Sequence, residues 1–196
     1  MPAPEYKIVY LTGPPASGKS TLGSALAQSV HPLMWLSYSR MLSEHLAARG
    51  RNVTHDRLRS ESSSIISADD INAVDASMIQ LIEENKWSTH IIIDSHAVSR
   101  ERYGYRATLF DLDKLRRFAI SFVVCLYAPP EVICQRIVDN HDGRPLITLY
   151  EADFHTYLQA EVALNYGLIC QVPVYFLDSQ LPVEDLVQEV RRRLVV

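Results

Sequence analysis

Short β-branched apolar runs alternate along the chain with segments whose apolar positions fall three and four apart. Tyr6–Thr12 is the first such run; it stops at Gly13-Pro14-Pro15 and predicts a buried parallel strand entering a loop. Leu22, Leu26 and Val30 lie four apart and predict a helix over Ser20–Val30. Leu33–Leu36 reads as a second strand, and Ser37–Arg49 as a helix ended by Gly50. Residues 51–68 are polar and basic. Ile71, Val74, Met78, Leu81 and Ile82 then predict a helix over Asp69–Trp87, with two aspartates at its start. Ile91–Asp94 is a third strand, Ser95–Arg106 a loop, and Leu109–Arg117 a helix. A fourth strand falls within Phe118–Ala128, and Pro129-Pro130 opens a helix to about Val138. After the polar break Asp139–Pro145 come a helix over Thr148–Leu168, a fifth strand at Pro173–Leu177 and a terminal helix over Val183–Val195.

Strands alternating with amphipathic helices imply βαβ units, hence an α/β fold with a five-stranded parallel sheet covered on both faces. The 196 residues fit one domain, and no internal repeat or linker interrupts them. Nineteen basic and 23 acidic residues give a formal charge of −4. That balance disfavours a surface coated by extended nucleic acid or membrane, while leaving room for a small basic pocket. Cys125, Cys134 and Cys170 are odd in number and widely spaced, so neither a disulfide framework nor a zinc site is expected. Cys125 lies in an apolar run, where a thiol serves as a small hydrophobe. The N-terminus carries no signal pattern and no run reaches membrane-spanning length, so a cytoplasmic location is expected.

Gly13-Pro14-Pro15-Ala16-Ser17-Gly18-Lys19-Ser20 fits G-x-x-x-x-G-K-[ST] in full, between a strand and a helix. The glycines permit backbone torsions and close approach that a side chain would block. Loop N–H groups and the helix N-terminus make an anion site. Lys19 supplies a charge to the β- and γ-phosphates, and Ser20 a hydroxyl for Mg²⁺. Asp94 ends a strand of the kind that lies beside such a loop, which suits a Mg²⁺-holding carboxylate. ATP and Mg²⁺ are therefore the expected cofactors. No N-K-x-D guanine motif occurs, and the length excludes a large motor ATPase.

Phosphoryl transfer needs further cations to clamp phosphates and place an acceptor. Arg40, Arg57 and Arg59 form one candidate group. Arg100, Arg102 and Arg106, with His96, form a second, and Arg136 with Arg144 a third. Each follows a strand or lies in a flap on the edge where open α/β sheets bind ligands, so the three groups are expected to converge. Arg191-Arg192-Arg193 instead reads as a solvated face complementing a helix dipole.

These residues resemble the small phosphate-loop nucleoside monophosphate kinases, most closely archaeal-type adenylate kinases and their AK-six-like relatives. The specific points are Ile93-Asp94-Ser95-His96-Ala97 followed by Gly104-Tyr105, Asp56-Arg57-Leu58-Arg59, Pro130-Glu131-Val132-Ile133 before Arg136, and Glu161–Pro173. The resemblance implies a three-layer P-loop NTPase fold with an acceptor-binding flap near 37–68 and a short lid near 139–147. It implies that Gly13, Pro15, Ala16, Ser17, Gly18, Lys19, Ser20 and Thr21 hold the ATP phosphates, with Arg136 on the adenine or a phosphate. Asp94 and His96 would lie at the transfer centre with Lys19, and Arg144 would swing in with the lid. Arg59 would grip the acceptor phosphate, with Ser37, Arg40 and Arg100 lining its site. A nucleoside monophosphate, AMP-like, is the acceptor so implied.

The chain departs from that pattern in its lid and in one loop. Only Arg136 and Arg144 serve the lid, Gly143-Arg144-Pro145-Leu146 resembles the R-P-L-L lid of shikimate kinases, and Arg106–Leu109 lacks a Gly-Leu-Pro. Two other functions therefore stand beside the first: a kinase of a non-nucleotide hydroxyl acceptor, and a nucleotide-switched ATPase acting as an interaction module.

Overall fold

The computed structural model describes residues 6–51, 53, 65–140 and 145–194. In chain order these form β1 (Ile8–Thr12), α1 (Lys19–Ser29), β2 (Leu33–Ser37), α2 (Tyr38–Ala48), α3 (Ala68–Asn85) and β3 (His90–Asp94). There follow β4 (Val98–Glu101), β5 (Gly104–Ala107), α4 (Leu112–Phe118), β6 (Phe122–Tyr127), α5 (Pro130–Asp139), α6 (Leu149–Cys170), β7 (Val174–Asp178) and α7 (Val183–Leu194).

Five strands pair in parallel in the order β2-β3-β1-β6-β7, so both neighbours of β1 are reached by crossovers. The side-chain period of two sends successive residues to opposite faces. Ile8, Tyr10, Ile91, Ile93, Val123 and Cys125 meet α3, α4 and α6 through Met78, Ile82, Phe118, Ala163 and Tyr166. Val9, Leu11, Ile92, Val124 and Leu126 meet α1 and α7 through Leu22, Leu26, Leu186 and Val190. The central strands are buried on both faces, which explains their continuous apolar runs. Within that layer the Cys125 thiol is pushed up to about 12, chiefly by burial, and packs as a small apolar group.

Helix boundaries follow capping chemistry. Ser67 and Asp70 form a reciprocal capping box at α3, as Thr148 and Glu151 do at α6. The helix expected from Leu109 starts at Leu112, because the Asp111 side chain accepts from the Lys114 N–H at 2.9 Å. The expected loop over 95–106 is also corrected. It contains an antiparallel hairpin of β4 and β5, joined by Arg102-Tyr103 with Gly104 at φ 133°. Val-Ser-Arg-Glu and Gly-Tyr-Arg-Ala are too polar to register as apolar strands.

Gly167 lets α6 approach β7. A Cβ there would lie 2.2 Å from Val174 Cγ2 and 3.2 Å from the Val172 carbonyl oxygen. Gly167→Ala should therefore lower the unfolding free energy by about 1–3 kcal/mol from overpacking, although alanine regains up to about 1 kcal/mol of helix propensity. Urea midpoints of the two proteins test this, and an unchanged or higher midpoint refutes the packing account.

Candidate active site

The cleft lies beyond the C-terminal ends of β1, β3, β6 and β7, where open α/β sheets hold ligands. It encloses about 1130 Å³ and takes in the glycine loop, Asp94, the β4–β5 hairpin, Arg136 and part of α2 and α3.

At its centre, Thr12 ends β1 and the chain turns sharply. Gly13 sits at φ 149°, and a Cβ there would fall 2.7 Å from both the Leu126 carbonyl oxygen and Ser17 Oγ. Gly18, at φ 91°, occupies the N-cap of α1 and offers no side-chain cap. The first-turn amides of α1 are thus left for an anion. Ala16 also has positive φ, 61°, a conformation costly for a non-glycine residue and concentrated at ligand-binding turns. Ser17 is fully buried, with its Oγ unpartnered among the described residues. Lys19 opens α1 half-buried rather than standing in a solvent-facing loop. Its Nζ donates to the Gly13 and Pro14 carbonyl oxygens at 3.0 and 3.4 Å.

Asp94 ends β3 opposite Leu11 of β1, beside the loop. Burial pushes its carboxyl above the usual carboxylate range, while Lys19 pulls it down. Its Oδ1 is buried without a hydrogen-bond partner among the described residues. His96, two residues on, is exposed and lines the same cleft.

Of the expected arginine groups, the second and third contribute to the cleft. Arg100, Arg102 and Arg106 line it from the hairpin. Arg100 pairs with Glu151, whose carboxyl is held down at about 2 by the Thr148 N–H and then by that guanidinium. Arg136 ties the glycine loop to the turn after β7. Its Nη1 donates to the Ala16 carbonyl and to Ser179 Oγ at 3.3 and 2.9 Å, and its Nη2 to the Ser179 carbonyl at 2.7 Å. Ser37 and Arg40 stay outside the lining. Ser37 Oγ lies 3.2 Å from Ser39 Oγ, and exposed Arg40 reaches Glu44 and the Trp35 carbonyl. Convergence thus fails for Arg40, because its position on α2 turns it towards solvent. Arg57, Arg59 and Arg144, with residues 52 and 54–64 of the expected flap and 141–144 of the expected lid, lie outside the described residues. At the far end of α7, Arg192 and Arg193 pair with Glu189, and Arg193 also stacks on Tyr175.

Two features escaped sequence reasoning because they exist only after packing. Buried Gln159 of α6 donates to Thr12 Oγ1 and accepts from the Val98 N–H at 3.2 Å, while His155 Nε2 donates to the Val98 carbonyl at 3.0 Å. One helix thereby braces the strand entering the phosphate loop and the first residue of the hairpin. In another wall of the cleft, the Tyr38 hydroxyl donates to buried Asp75 at 2.9 Å and Lys114 pairs with Asp75 at 2.6 Å. Leu42, Ile66, Ile71 and Phe110 complete that wall, which is largely apolar.

The AAA domain family model matches residues 12–151, more than half of the chain. No curated protein sequence matches. Among solved structures, a shikimate kinase from Acinetobacter baumannii in complex with shikimate is similar at a TM-score of 0.58 and 16% identity, covering 97% of this chain and 93% of that one. A shikimate kinase from Bacteroides thetaiotaomicron gives 0.59 and 17%, covering 97% and 99%. A gluconokinase from Sinorhizobium meliloti gives 0.55 and 16%, covering 98% and 95%. Identities this low establish a shared fold.

Proposed function

Because the chain belongs to the AAA domain family, and its sheet carries a complete phosphate loop, we propose that it transfers the γ-phosphoryl group of ATP to a small hydroxyl-bearing acid. The observation that carries this reading is a single cleft. One end holds Lys19, Ser20 and Asp94, and the hairpin arginines Arg100, Arg102 and Arg106 line another part. A simple nucleotide switch has no need of a second cationic wall within the same cavity.

The loop amides and Lys19 would bind the β- and γ-phosphates, with Arg136 keeping the loop and the β7 turn in register. Ser20 and Asp94 fit Mg²⁺: both offer hard oxygen donors, and the orphaned Asp94 Oδ1 is suited to an ion or its water. When bound, that ion supplies neutralisation of the phosphate oxygens. The acceptor hydroxyl oxygen would attack phosphorus as the bond to the bridging oxygen of ADP breaks, its proton passing to a phosphoryl oxygen or to water, so positioning and charge neutralisation supply the catalysis. His96, exposed in the same cleft, would donate to the transferring group. Arg102 and Arg106 would anchor the acceptor carboxylate. The similar structures named for shikimate and gluconate, both polyhydroxylated acids, support this acceptor class.

The apolar wall of Leu42, Ile71 and Phe110 beside Tyr38 favours a second reading, in which a planar base stacks there and the acceptor is a nucleoside monophosphate. A coupled ADP-release assay with hydroxy acids on one side and AMP, dAMP, CMP, UMP and GMP on the other separates the two. Turnover stimulated by a hydroxy acid alone is expected. Stimulation by a monophosphate alone overturns the first reading, and ATP hydrolysis indifferent to every acceptor overturns both.

A further inference from the structure

Helix α6 is apolar on two faces; the fold buries one, and among the described residues it meets the other at Phe154, whose ring packs edge-on against Tyr105 at 5.4 Å. Ala152, His155, Gln159, Val162, Ala163, Tyr166 and Gly167 are buried against the sheet and its neighbours. On the opposite face, Tyr150, Phe154, Tyr157, Glu161, Leu164 and Leu168 follow one another at spacings of four and three residues. That is the a/d seam of a helix that packs against another helix. Tyr150 is 73% exposed, Tyr157 60% and Leu168 77%, and the Tyr150 and Phe154 rings stack on each other with 5.9 Å between centroids.

A monomer rarely shows so large an apolar surface. At roughly 150–250 Å² for a whole aromatic side chain, the uncovered parts of the seam and of flanking Leu146, Leu149 and Ile169 reach many hundreds of Å². That is the order of the ~800 Å² each partner contributes to a stable interface. The seam also has a polarity. Its N-terminal half is aromatic, its C-terminal half aliphatic, and one carboxylate, Glu161, stands near the middle.

From this we propose that the seam is an isologous interface in which α6 packs antiparallel against α6 of a second copy of this chain. Centred on position 159, that arrangement sets Tyr150 against Leu168, Phe154 against Leu164, and the Tyr157 hydroxyl against the Glu161 carboxylate, each pair occurring twice. The seam is complementary to itself in that direction only. A parallel pair would stack Glu161 on Glu161 in a desolvated layer. A membrane surface is disfavoured, because α6 carries no lysine or arginine and its exposed charges, Asp153 and Glu161, are acidic.

Sedimentation equilibrium of the full chain at tens of micromolar, without nucleotide, tests the interface. The expected mass is twice 22.2 kDa. Leu164→Glu and Leu168→Glu, both at exposed positions, should each return the mass of a single chain while the thermal melt of the folded chain by circular dichroism keeps its native spectrum. Tyr150→Lys provides an independent third variant at the other end of the seam. Orientation is read by disulfide trapping in a background with Cys134→Ser and Cys170→Ser: Phe154→Cys mixed with Leu164→Cys should cross-link, and Leu168→Cys alone should not. A single-chain mass for the wild type, a dimer untouched by all three seam variants, or efficient self-trapping of Leu168→Cys would each overturn the proposal.

Discussion

Lys19→Ala should lower acceptor-dependent turnover by about 10²–10³-fold or more, the loss seen when a preorganised group opposite developing charge is removed. The side chain contributes little to the fold. Its Nζ donates to two carbonyl oxygens of its own loop, at 3.0 and 3.4 Å, and neither belongs to a sheet ladder or a helix. Those contacts matter instead for function, because they hold the amine over the concave side of the loop beside the first-turn amides of α1. Lys19→Arg should not restore the rate, since a planar guanidinium cannot replace a compact ammonium in a loop closed by Gly13 and Gly18. The measurement pairs ADP release with a thermal melt. Near-normal turnover in Lys19→Ala refutes the phosphate role, and a large drop in melting temperature refutes the separation of fold from chemistry.

What the sequence revealed about this site follows from which constraints are local. The glycine loop is legible because anion binding by consecutive amides demands glycine at fixed spacing, and Gly13 and Gly18 both adopt positive φ. The sheet is legible because strands buried on both faces need unbroken apolar runs, and Ile91-Ile92-Ile93 is one. Asp94 follows from the same logic, as the first polar residue at the end of a buried strand. The hairpin over 98–107 left no such trace. Its strands lie outside the main sheet, and only Val98 and Glu101 are buried among otherwise part-exposed residues. Arg40 shows the reverse failure: a basic residue at a plausible position, sent outward by the phase of its helix. The Gln159 and His155 braces depend on contacts 147 and 57 residues apart in sequence, which no local pattern encodes. On α6 the seam has the period of a helix but not its usual solvent-side polarity, a signal visible only once burial identifies which face is already occupied.

The second large effect lies in that same brace and appears on acidification. His155 is buried, and its Nε2–H donates to the Val98 carbonyl. Burial first, with Lys19 and Arg100 adding to it against that hydrogen bond, lowers its pKa to about 4. An unfolded histidine titrates near ~6.5. Between those values the unfolded chain binds a proton that the folded chain refuses, so stability rises with pH across this window and falls as pH drops from about 6.5 to about 4. At 1.36 kcal/mol per pKa unit the loss is about 3 kcal/mol, a large share of a typical domain's stability. Among the carboxylates, Asp94, raised by burial, contributes a slope of the opposite sign. Asp70 and Glu151 have lowered values and begin to withdraw their support only at the bottom of the window, from about pH 5 downward. His90, lowered by burial and then by Lys7, contributes a slope of the same sign. Urea unfolding at pH 7.0, 5.5 and 4.5 should therefore show a steep decline in the wild type. His155→Gln, which keeps an N–H donor without a titrating ring, should flatten it and leave, among the described residues, the opposed His90 and Asp94 contributions. Equal slopes in the two proteins would mean that His155 is already solvated in the folded chain, and that the hairpin is not held by this hydrogen bond.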